Sequence, residues 1–544
     1  MSKARTQTQR KNEPGSEEAA SKGSRTNFPP ALLPVLAFCS GAAVMIIEIS
    51  GARLVAPVYG NTVYTWTAII GVVLVALSAG GYLGGRLADR RNDLRLLACF
   101  PIGAGLFAFA IPALALGLGS GSPTPSLVAG PLWMSFVLFV VPAVLLGAVG
   151  PYSVKMLSVL RTDHAVGRSA GLISMMGSLG SFVGTFATGF WLLSAFDLRV
   201  IMAVTGGLLV VLGGVVLWRA RNAGPGVLVA LLAVAAAGGA GARFTPVALG
   251  EDVIYARNSY YHLIRVTESD VDGRRVRTLM LDTTTEGAIS LDGGPLPVAY
   301  QNFWRLLTLD PDFRPERSLF IGAGAFGMPR EVAAQWPEAE VDVVEIDPDV
   351  IEVGERFFGA GEDANLFSHA ADGRMFLRAQ PEEHYDFIFG DAYNGVSYIP
   401  PHLVTSEFFG LVAERLRPGG IYMMNLISAV HGPDSELSAG ILAGLAEHFD
   451  ELAVFTVHTQ RPGTRQNLIL MAANRPLDMF QTPAGVPRAG VRGQAARMAA
   501  GRVEQARIDA LVGNARPFTD KRNPIDLLVA RQIRRAADPS GHGF

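Results

Sequence analysis

Long apolar runs fill the N-terminal part of the chain, and polar or basic segments separate them. Seven such runs lie at 31–56, 65–88, 96–118, 130–150, 169–195, 199–218 and 225–242. A helix needs about 20 mostly apolar residues to cross the hydrocarbon core of a bilayer, and six of the runs meet this length. The seventh is short and rich in Gly and Ala. The pattern predicts a multi-pass α-helical membrane domain over residues 31–243, with six or seven helices.

Basic residues mark alternate connections between these runs. They lie in the polar lead 1–30, in "GGRLADRRNDLR" after the second run, in "KMLSVLRTDHAVGR" after the fourth and in "WRARN" after the sixth. The connections after the first and third runs carry none. This alternation follows the positive-inside rule and places the N-terminus in the cytoplasm. The lead is polar and basic, so it is predicted to be disordered. It is not a signal peptide, because no short apolar stretch with a cleavage site follows it.

The seventh run decides on which side of the membrane the rest of the chain lies. Seven crossings place it outside the cytoplasm, whereas six keep it inside. Gly and Ala gain little on insertion compared with Leu or Phe. We therefore expect the stretch from Val227 to Ala242 to stop short of crossing. The C-terminal domain is then cytoplasmic, in a multi-pass protein of the cell (inner) membrane.

Two local features within the apolar runs carry further expectations. Gly180 and Gly184 are four residues apart, a spacing typical of helices that pack closely in lipid. Glu48 and Arg53 are charged residues within the first run, where charge is costly. They form either an ion pair near a helix end or part of a polar pocket.

The pattern changes after the apolar runs. The mean hydropathy of the whole chain is +0.30, but the part after residue 243 has the composition of a soluble domain. Short strand patterns predict a small antiparallel β domain over 250–298. Strands and helices then alternate over 299–530, which predicts an α/β Rossmann-like domain with a parallel sheet covered on both faces. The tail 531–544 is expected to be disordered.

Charge and cysteine content exclude some classes of partner. The net charge is −2, so no global field attracts nucleic acid. The two cysteines, Cys39 and Cys99, lie in apolar runs and have neither the spacing of a zinc site nor that of a disulfide framework. We expect no nucleic-acid partner and no metal.

A glycine-rich turn indicates a nucleoside site. Gly322, Gly324 and Gly327 form G-x-G-x-x-G in "SLFIGAGAFGMPREV", between a predicted strand and a predicted helix. Glu345 ends the next strand, where an acid accepts hydrogen bonds from ribose hydroxyls. Both a nicotinamide dinucleotide and an S-adenosyl nucleoside fit these residues.

The next two strand ends distinguish these ligands. Asp372 and Asp391 close the third and fourth predicted strands. Several acids around one crevice suit a cationic sulfonium and repel a pyrophosphate, although any one of them also suits a helix N-cap. We predict that 5′-methylthioadenosine or an S-adenosyl nucleoside binds between Gly322, Glu345 and Asp372.

These segments resemble the spermidine synthases, the polyamine aminopropyltransferases. "LFIGAGAFGMPREV" and "VDVVEIDPDVIEVGERFF" are similar to the donor-binding region of that family. "ADGRMFL", "YDFIFGDAYNG" and "FTDKRNPIDLL", with the apolar "FCSGAAVMIIEISGARLVAP", resemble its membrane-fused branch. The resemblance extends from about Phe38 to Leu528. It implies a Rossmann-like S-adenosylmethionine-dependent transferase, a decarboxylated S-adenosylmethionine donor, a putrescine-like diamine acceptor, 5′-methylthioadenosine as by-product and a homodimer.

The resemblance also implies residue roles. Glu345 holds the ribose, Asp372 with Gly373 the adenine, and Asp391 takes the proton of the amine. A carboxylate is chemically suited to that task, because a protonated amine cannot attack carbon. The remaining nucleoside-side residues are Gly322, Gly324, Gly327, Asp347 and His262. Those on the amine side are Tyr300, Gln301, Tyr393 and Asn394.

The chain departs from the family at several polar positions. Ala325 replaces an acid that binds the amino group of the donor, and Asn394 replaces a second acid after the catalytic one. These losses leave open both the acceptor and whether the donor is decarboxylated. One alternative is another S-adenosylmethionine-dependent transferase or a donor-cleaving enzyme. The other is a non-catalytic transport or sensor protein that binds polyamine or nucleoside. Retention of Asp391 argues against the latter, because a binder needs no base.

Overall fold

Six long helices form the N-terminal part of the computed structural model. The model describes residues 28–60, 63–120, 129–160, 166–221, 252–282, 284–393, 398–459, 464–480 and 490–537, and the single positions 226, 229, 233, 236, 238 and 461. The long helices are α1 (Leu32–Tyr59), α2 (Val63–Arg90), α3 (Leu94–Ser120), α4 (Ala129–Leu160), α5 (Val166–Ala187) and α6 (Leu198–Arg221). Within the described residues, six helices are long and apolar enough to cross a membrane. This confirms the prediction that the first six apolar runs form such helices. The seventh run lies mostly outside these residues.

Glycines bring these helices into backbone contact. A Cβ added at Gly184 would lie 2.5 Å from the carbonyl oxygen of Ala42, and one at Gly180 would overlap that of Phe38. Helices α1 and α5 therefore run parallel at close range, as the glycine spacing predicted. Helices α2 and α4 pack in the same way, whereas α3 and α6 are antiparallel.

The helix bundle has two chemically different ends. The basic end contains the C-termini of α2, α4 and α6, where Lys155 pairs with Asp89 at 3.0 Å. The opposite end contains the C-termini of α1 and α3 and the N-termini of α4 and α6, where Gly130 packs against Tyr59. The basic residues described at the basic end are Arg86, Arg90, Arg91, Arg95, Lys155, Arg168, Arg219 and Arg221. Those described at the opposite end are Arg53 and Arg199.

A four-stranded antiparallel sheet follows the bundle. Its strands, in spatial order, are β1 (Val253–Asn258), β2 (Leu263–Val271), β3 (Arg274–Leu281) and β4 (Thr284–Ser290). Ile264, Val266 and Leu279 are fully buried in a core that also contains Phe320 of the next sheet. The small sheet and the Rossmann-like part therefore share one hydrophobic core.

The Rossmann-like part is built on a seven-stranded sheet of order β10-β11-β9-β8-β5-β6-β7. The strands are β5 (Arg317–Ile321), β6 (Glu340–Glu345), β7 (Leu366–Ala370), β8 (Tyr385–Gly390), β9 (Leu416–Ser428), β10 (Glu451–Thr456) and β11 (Gln466–Ala473). The helices are α7 (Gly327–Gln335), α8 (Pro348–Phe358), α9 (Gly373–Ala379), α10 (Ser406–Arg415), α11 (Glu436–Leu445), α12 (Gly490–Ala499), α13 (Gln505–Gly513) and α14 (Ile525–Ala537).

The prediction of a wholly parallel sheet was wrong for two strands. The pairs among β9, β8, β5, β6 and β7 are parallel, but β10 and β11 are antiparallel to each other, and β11 is antiparallel to β9. The connection between β10 and β11 spans only residues 457–465. A parallel crossover needs a dozen or more residues, so this short segment can only return the chain in the opposite direction.

The loop between β1 and β2 contacts the opposite end of the helix bundle. The hydroxyl of Tyr260 donates to the carbonyl oxygen of Phe190 at 3.2 Å, and the amide of Asn258 donates to Asp197 at 3.4 Å. Both contacts lie at the end of the bundle that carries fewer basic residues.

Candidate active site

The glycine turn after β5 forms the floor of the site. Gly322 has φ +96° and Gly324 φ +51°, conformations that residues with a Cβ rarely adopt. A Cβ at Gly322 would lie 2.5 Å from the backbone oxygen of Asp391, and one at Gly324 would lie 2.9 Å from that of Glu286. Helix α7 then begins at Gly327. The glycines thus allow two neighbouring segments to approach the turn.

Glu345 is anchored to this turn from the end of β6. Its carboxylate accepts hydrogen bonds from the backbone N–H groups of Ala323 and Asp347, both at 3.1 Å. Burial raises the pKa of Glu345, and the two N–H donors oppose that shift. The carboxylate therefore lies beside the glycine turn, as predicted for a ribose-binding acid.

Asp347 and Asp372 both cap helices. Asp347 accepts from the N–H of Asp349 at 3.0 Å, and its other oxygen accepts from the hydroxyl of Ser259. Asp372 accepts from the N–H of Met375 at 2.9 Å. Both residues therefore act as helix N-caps, which is the structural role that any one of these acids could have. Gly373 follows the second cap, and a Cβ there would lie 2.5 Å from Ile321.

Two histidines extend the cluster of acids. His262 lies on the turn between β1 and β2. Its side chain is buried, and its Nδ1 lies 3.0 Å from Asp282. His402 Nε2 lies 2.8 Å from the second oxygen of Asp372. No sequence pattern indicated the contact with His402, because the two residues are joined only by the packing of distant segments.

Asp391 follows β8 and is held by Asn425, whose amide donates to its Oδ1 at 2.8 Å. Asn467 fixes the orientation of Asn425 by donating to its oxygen at 2.9 Å. The hydroxyl of Tyr300 lies near the same carboxyl and donates to the carbonyl oxygen of Glu286 at 3.5 Å. Burial raises the pKa of Asp391 to about 7, against the opposing effects of Asn425 and Tyr300. The carboxyl can therefore lose and gain a proton near neutral pH.

The residues predicted on the amine side have different surroundings. Tyr300 and Gln301 are buried beside the glycine turn, and the Oε1 of Gln301 has no hydrogen-bond partner among the described residues. The hydroxyl of Tyr393 donates to the carbonyl of Asn425 at 3.1 Å and accepts from the N–H of Ile427 at 3.0 Å. Both of these hydrogen bonds are made to the backbone of β9. Asn394 lies outside the described residues.

Glu286 on β4 is an acid of the site that the sequence analysis missed. Its Oε1 is fully buried and has no hydrogen-bond partner among the described residues. Burial, followed by the negative charges of Asp391 and Glu345, raises its pKa well above the usual range. The next residue, Gly287, lies so close that a Cβ there would be 2.8 Å from the N–H nitrogen of Ala325. Glu286 thus enters the site beside the turn at which the family's acid is absent.

Asn425 was the second residue missed, although the sequence did contain a signal. It is a polar residue within the apolar strand "GIYMMNLIS", and buried polar side chains need a partner. Glu286 had no comparable signal, since "DTTTEGAIS" alternates like any half-exposed strand.

Most of this site lies in a stretch of the chain that is similar to a known protein family. Residues 302–435 match the family model of the spermine/spermidine synthase domain. The matched stretch contains the glycine turn and the acids Glu345, Asp372 and Asp391.

Individual relatives match only part of their own length. The polyamine aminopropyltransferase of Vibrio vulnificus is 38% identical over 117 residues, which are 21% of this chain and 39% of the relative. The eEF1A lysine and N-terminal methyltransferase of Bos taurus is 32% identical over 149 residues, which are 26% of this chain and 21% of the relative. The spermidine synthase structure from Thermotoga maritima has 18% identity and a TM-score of 0.37, and the match covers 48% of this chain and 88% of that structure.

Proposed function

We propose that this chain is a membrane-anchored aminopropyltransferase. It transfers an aminopropyl group from decarboxylated S-adenosylmethionine to a diamine and releases 5′-methylthioadenosine. The observation that carries the proposal is Asp391. It is a carboxyl group with a pKa of about 7, oriented by Asn425 at the carboxyl end of a sheet whose glycine turn suits a nucleoside. The match to the spermine/spermidine synthase domain supports the reaction type.

Asp391 is suited to the proton transfer of this reaction. The nitrogen of the amine forms a bond to the carbon beside the sulfonium, the carbon–sulfur bond breaks, and its electron pair stays on sulfur. The amine must be neutral to attack, so its proton passes to the Asp391 carboxylate. Alignment of nitrogen and carbon in one crevice supplies a further part of the rate.

Glu286 supports a donor without a carboxylate. It lies beside the glycine turn and close enough to Asp391 and Glu345 for their charges to raise its pKa. A buried carboxyl without a partner is stabilised by a cation, and the decarboxylated donor carries both a sulfonium and an ammonium group. Intact S-adenosylmethionine would add a carboxylate near the same acids, and like charges repel. Glu286 thus supplies an acid in place of the one missing at Ala325.

Methyl transfer from intact S-adenosylmethionine is the second candidate reaction. The bovine methyltransferase aligns over a stretch of similar length, so that similarity by itself does not distinguish the two reactions. The acidic lining of the crevice favours aminopropyl transfer.

The proposal is tested by incubating the purified full chain with either donor and a panel of diamines. Mass spectrometry should detect 5′-methylthioadenosine and an amine enlarged by one aminopropyl group, with the decarboxylated donor only. Asp391→Asn should lower turnover by about 10²–10⁴-fold while nucleoside affinity is retained. Asp509→Asn, on the exposed surface of α13, serves as the matched control.

Each other result points to a different function. S-adenosylhomocysteine with a methylated product would establish the methyltransferase instead. Nucleoside binding without any product, or normal turnover by Asp391→Asn, would remove the proposed mechanism.

A further inference from the structure

The small sheet and the Rossmann-like part, residues 253–537, are together called the transferase-like part. Their contact with the membrane bundle bears on which side of the membrane the site lies. The loop 258–263 meets α1, the end of α5 and the start of α6. A cavity at this contact is lined by Arg53 and Leu198 on the bundle side and by His262 and Asp282 on the other. The charge of Arg53 interacts with Asp282 and Asp347, so the contact adjoins the acids of the nucleoside site.

Every bundle element in this contact belongs to the end that is poor in basic residues. Arg53 is in the last two turns of α1, Phe190 is in the π-helical turn after α5, and Asp197 precedes α6. The basic residues concentrate at the other end, from Arg86 in α2 to Arg221 in α6. By the positive-inside rule the basic end faces the cytoplasm. The contact therefore faces away from it.

The last described residue of α6 and the first strand lie at opposite ends of the bundle. Helix α6 ends at Arg221 at the basic end, whereas β1 begins at Val253 beside the opposite end. The intervening segment, 222–252, is longer than the roughly 20 residues that a crossing helix requires.

Described positions within this segment support a crossing. Gly226, Val229, Ala233, Ala236 and Gly238 are helical. A Cβ added at Gly238 would lie 2.7 Å from the ring of Phe109, which is near the middle of α3. Residue 238 is therefore at mid-bundle depth, part of the way from the basic end to the opposite end.

We infer that the transferase-like part, with its nucleoside site, lies outside the cytoplasm, on the side opposite to the end of α6. The earlier expectation, that the Gly- and Ala-rich run stops short, relied on the weak insertion of those residues. Close packing of Gly238 against Phe109 explains how small residues are accommodated inside a helix bundle.

If the proposed function holds, this location means that the donor must be available outside the cytoplasm. An adenosyl sulfonium is a cation that does not cross a bilayer unaided. A transport step must therefore deliver the donor to the outer side, or the enzyme uses nucleoside already present there. The location itself does not depend on catalysis.

Single cysteines in the full chain test the inference. In a background with Cys39→Ala and Cys99→Ala, Glu338→Cys and Lys521→Cys report on the transferase-like part, and Asn92→Cys reports on the basic end; all three positions are exposed. In intact spheroplasts, an impermeant maleimide should label the first two and should label Asn92→Cys only after permeabilisation.

The reverse pattern, with Asn92→Cys labelled and the other two protected until lysis, would overturn the inference. Two reporters in the transferase-like part keep the test decisive if one variant fails to fold. Labelling needs no substrate, so a protein that proves inactive toward every amine still reports its side of the membrane.

Discussion

At the scale of single residues, Asp391 is the group whose protonation should control turnover. Its carboxyl must be ionised to accept a proton, and burial raises its pKa to about 7. In the free enzyme, kcat/KM for the donor should therefore fall about tenfold per pH unit below about pH 7 and level off above it. The corresponding limb of kcat should lie at lower pH, because a bound sulfonium stabilises the carboxylate.

Steady-state rates at saturating amine, measured from about pH 5 to pH 9, check this prediction. The residual activity of Asp391→Asn should lack the acidic limb. A wild-type kcat/KM that stays flat across this range, with the protein still folded, contradicts the assignment.

Glu286 is predicted to recognise the charge of the donor. A hydrogen bond to a charged group contributes about 1.5–3 kcal/mol. Glu286→Gln should therefore weaken binding of decarboxylated S-adenosylmethionine by about 10- to 100-fold. Binding of 5′-methylthioadenosine, which carries no sulfonium or ammonium group, should be nearly unchanged. Calorimetry with both ligands measures the difference.

Glu338→Gln, at an exposed position of the same part of the chain, is the control and should bind both ligands like the wild type. Equal weakening of both ligands by Glu286→Gln would show a structural role for the residue rather than recognition of charge.

At the scale of elements, glycines determine how closely the membrane helices approach. A Cβ at Gly180 would overlap the carbonyl oxygen of Phe38, whereas nothing lies within 4 Å of the corresponding position at Gly171 on the same helix. Gly180→Val should separate α1 from α5 and lower stability by about 1–3 kcal/mol, as overpacking does. Gly171→Val should be tolerated.

Thermal unfolding of the two variants in detergent provides the measurement. Similar melting temperatures for Gly180→Val and wild type would mean that α1 and α5 do not depend on this contact. A large loss for Gly171→Val would show that valine itself, rather than its position, destabilises α5.

Elements were predicted best where the local pattern matched the final environment. The six long apolar runs and the strands β5 to β9 all have lengths and periodicities that reflect their burial. The strands β10 and β11 were absent from the prediction. Their direction follows from a short connection and from pairing with β9, which is distant in sequence.

At the scale of the whole molecule, the bundle and the transferase-like part meet beside the candidate active site. Tyr260 reaches the π-helical turn after α5, and Ser259 on the same loop donates to Asp347, which caps α8. A displacement of the membrane helices at this contact would therefore act directly on the loop that borders the acids. The membrane part is structurally connected to the site rather than attached through a linker alone.

The sequence by itself determined the composition of each part: spans of sufficient length, a glycine turn between a strand and a helix, and acids at successive strand ends. These features are local, because helix length, turn conformation and strand termini depend on residues close in the chain. Tertiary structure alone decided that Glu286 enters the site from another sheet, that Asn425 orients Asp391, and that the loop beside the site contacts the end of the bundle poor in basic residues. Each of these is a contact between segments far apart in sequence, and such contacts are determined by the packing of the complete chain.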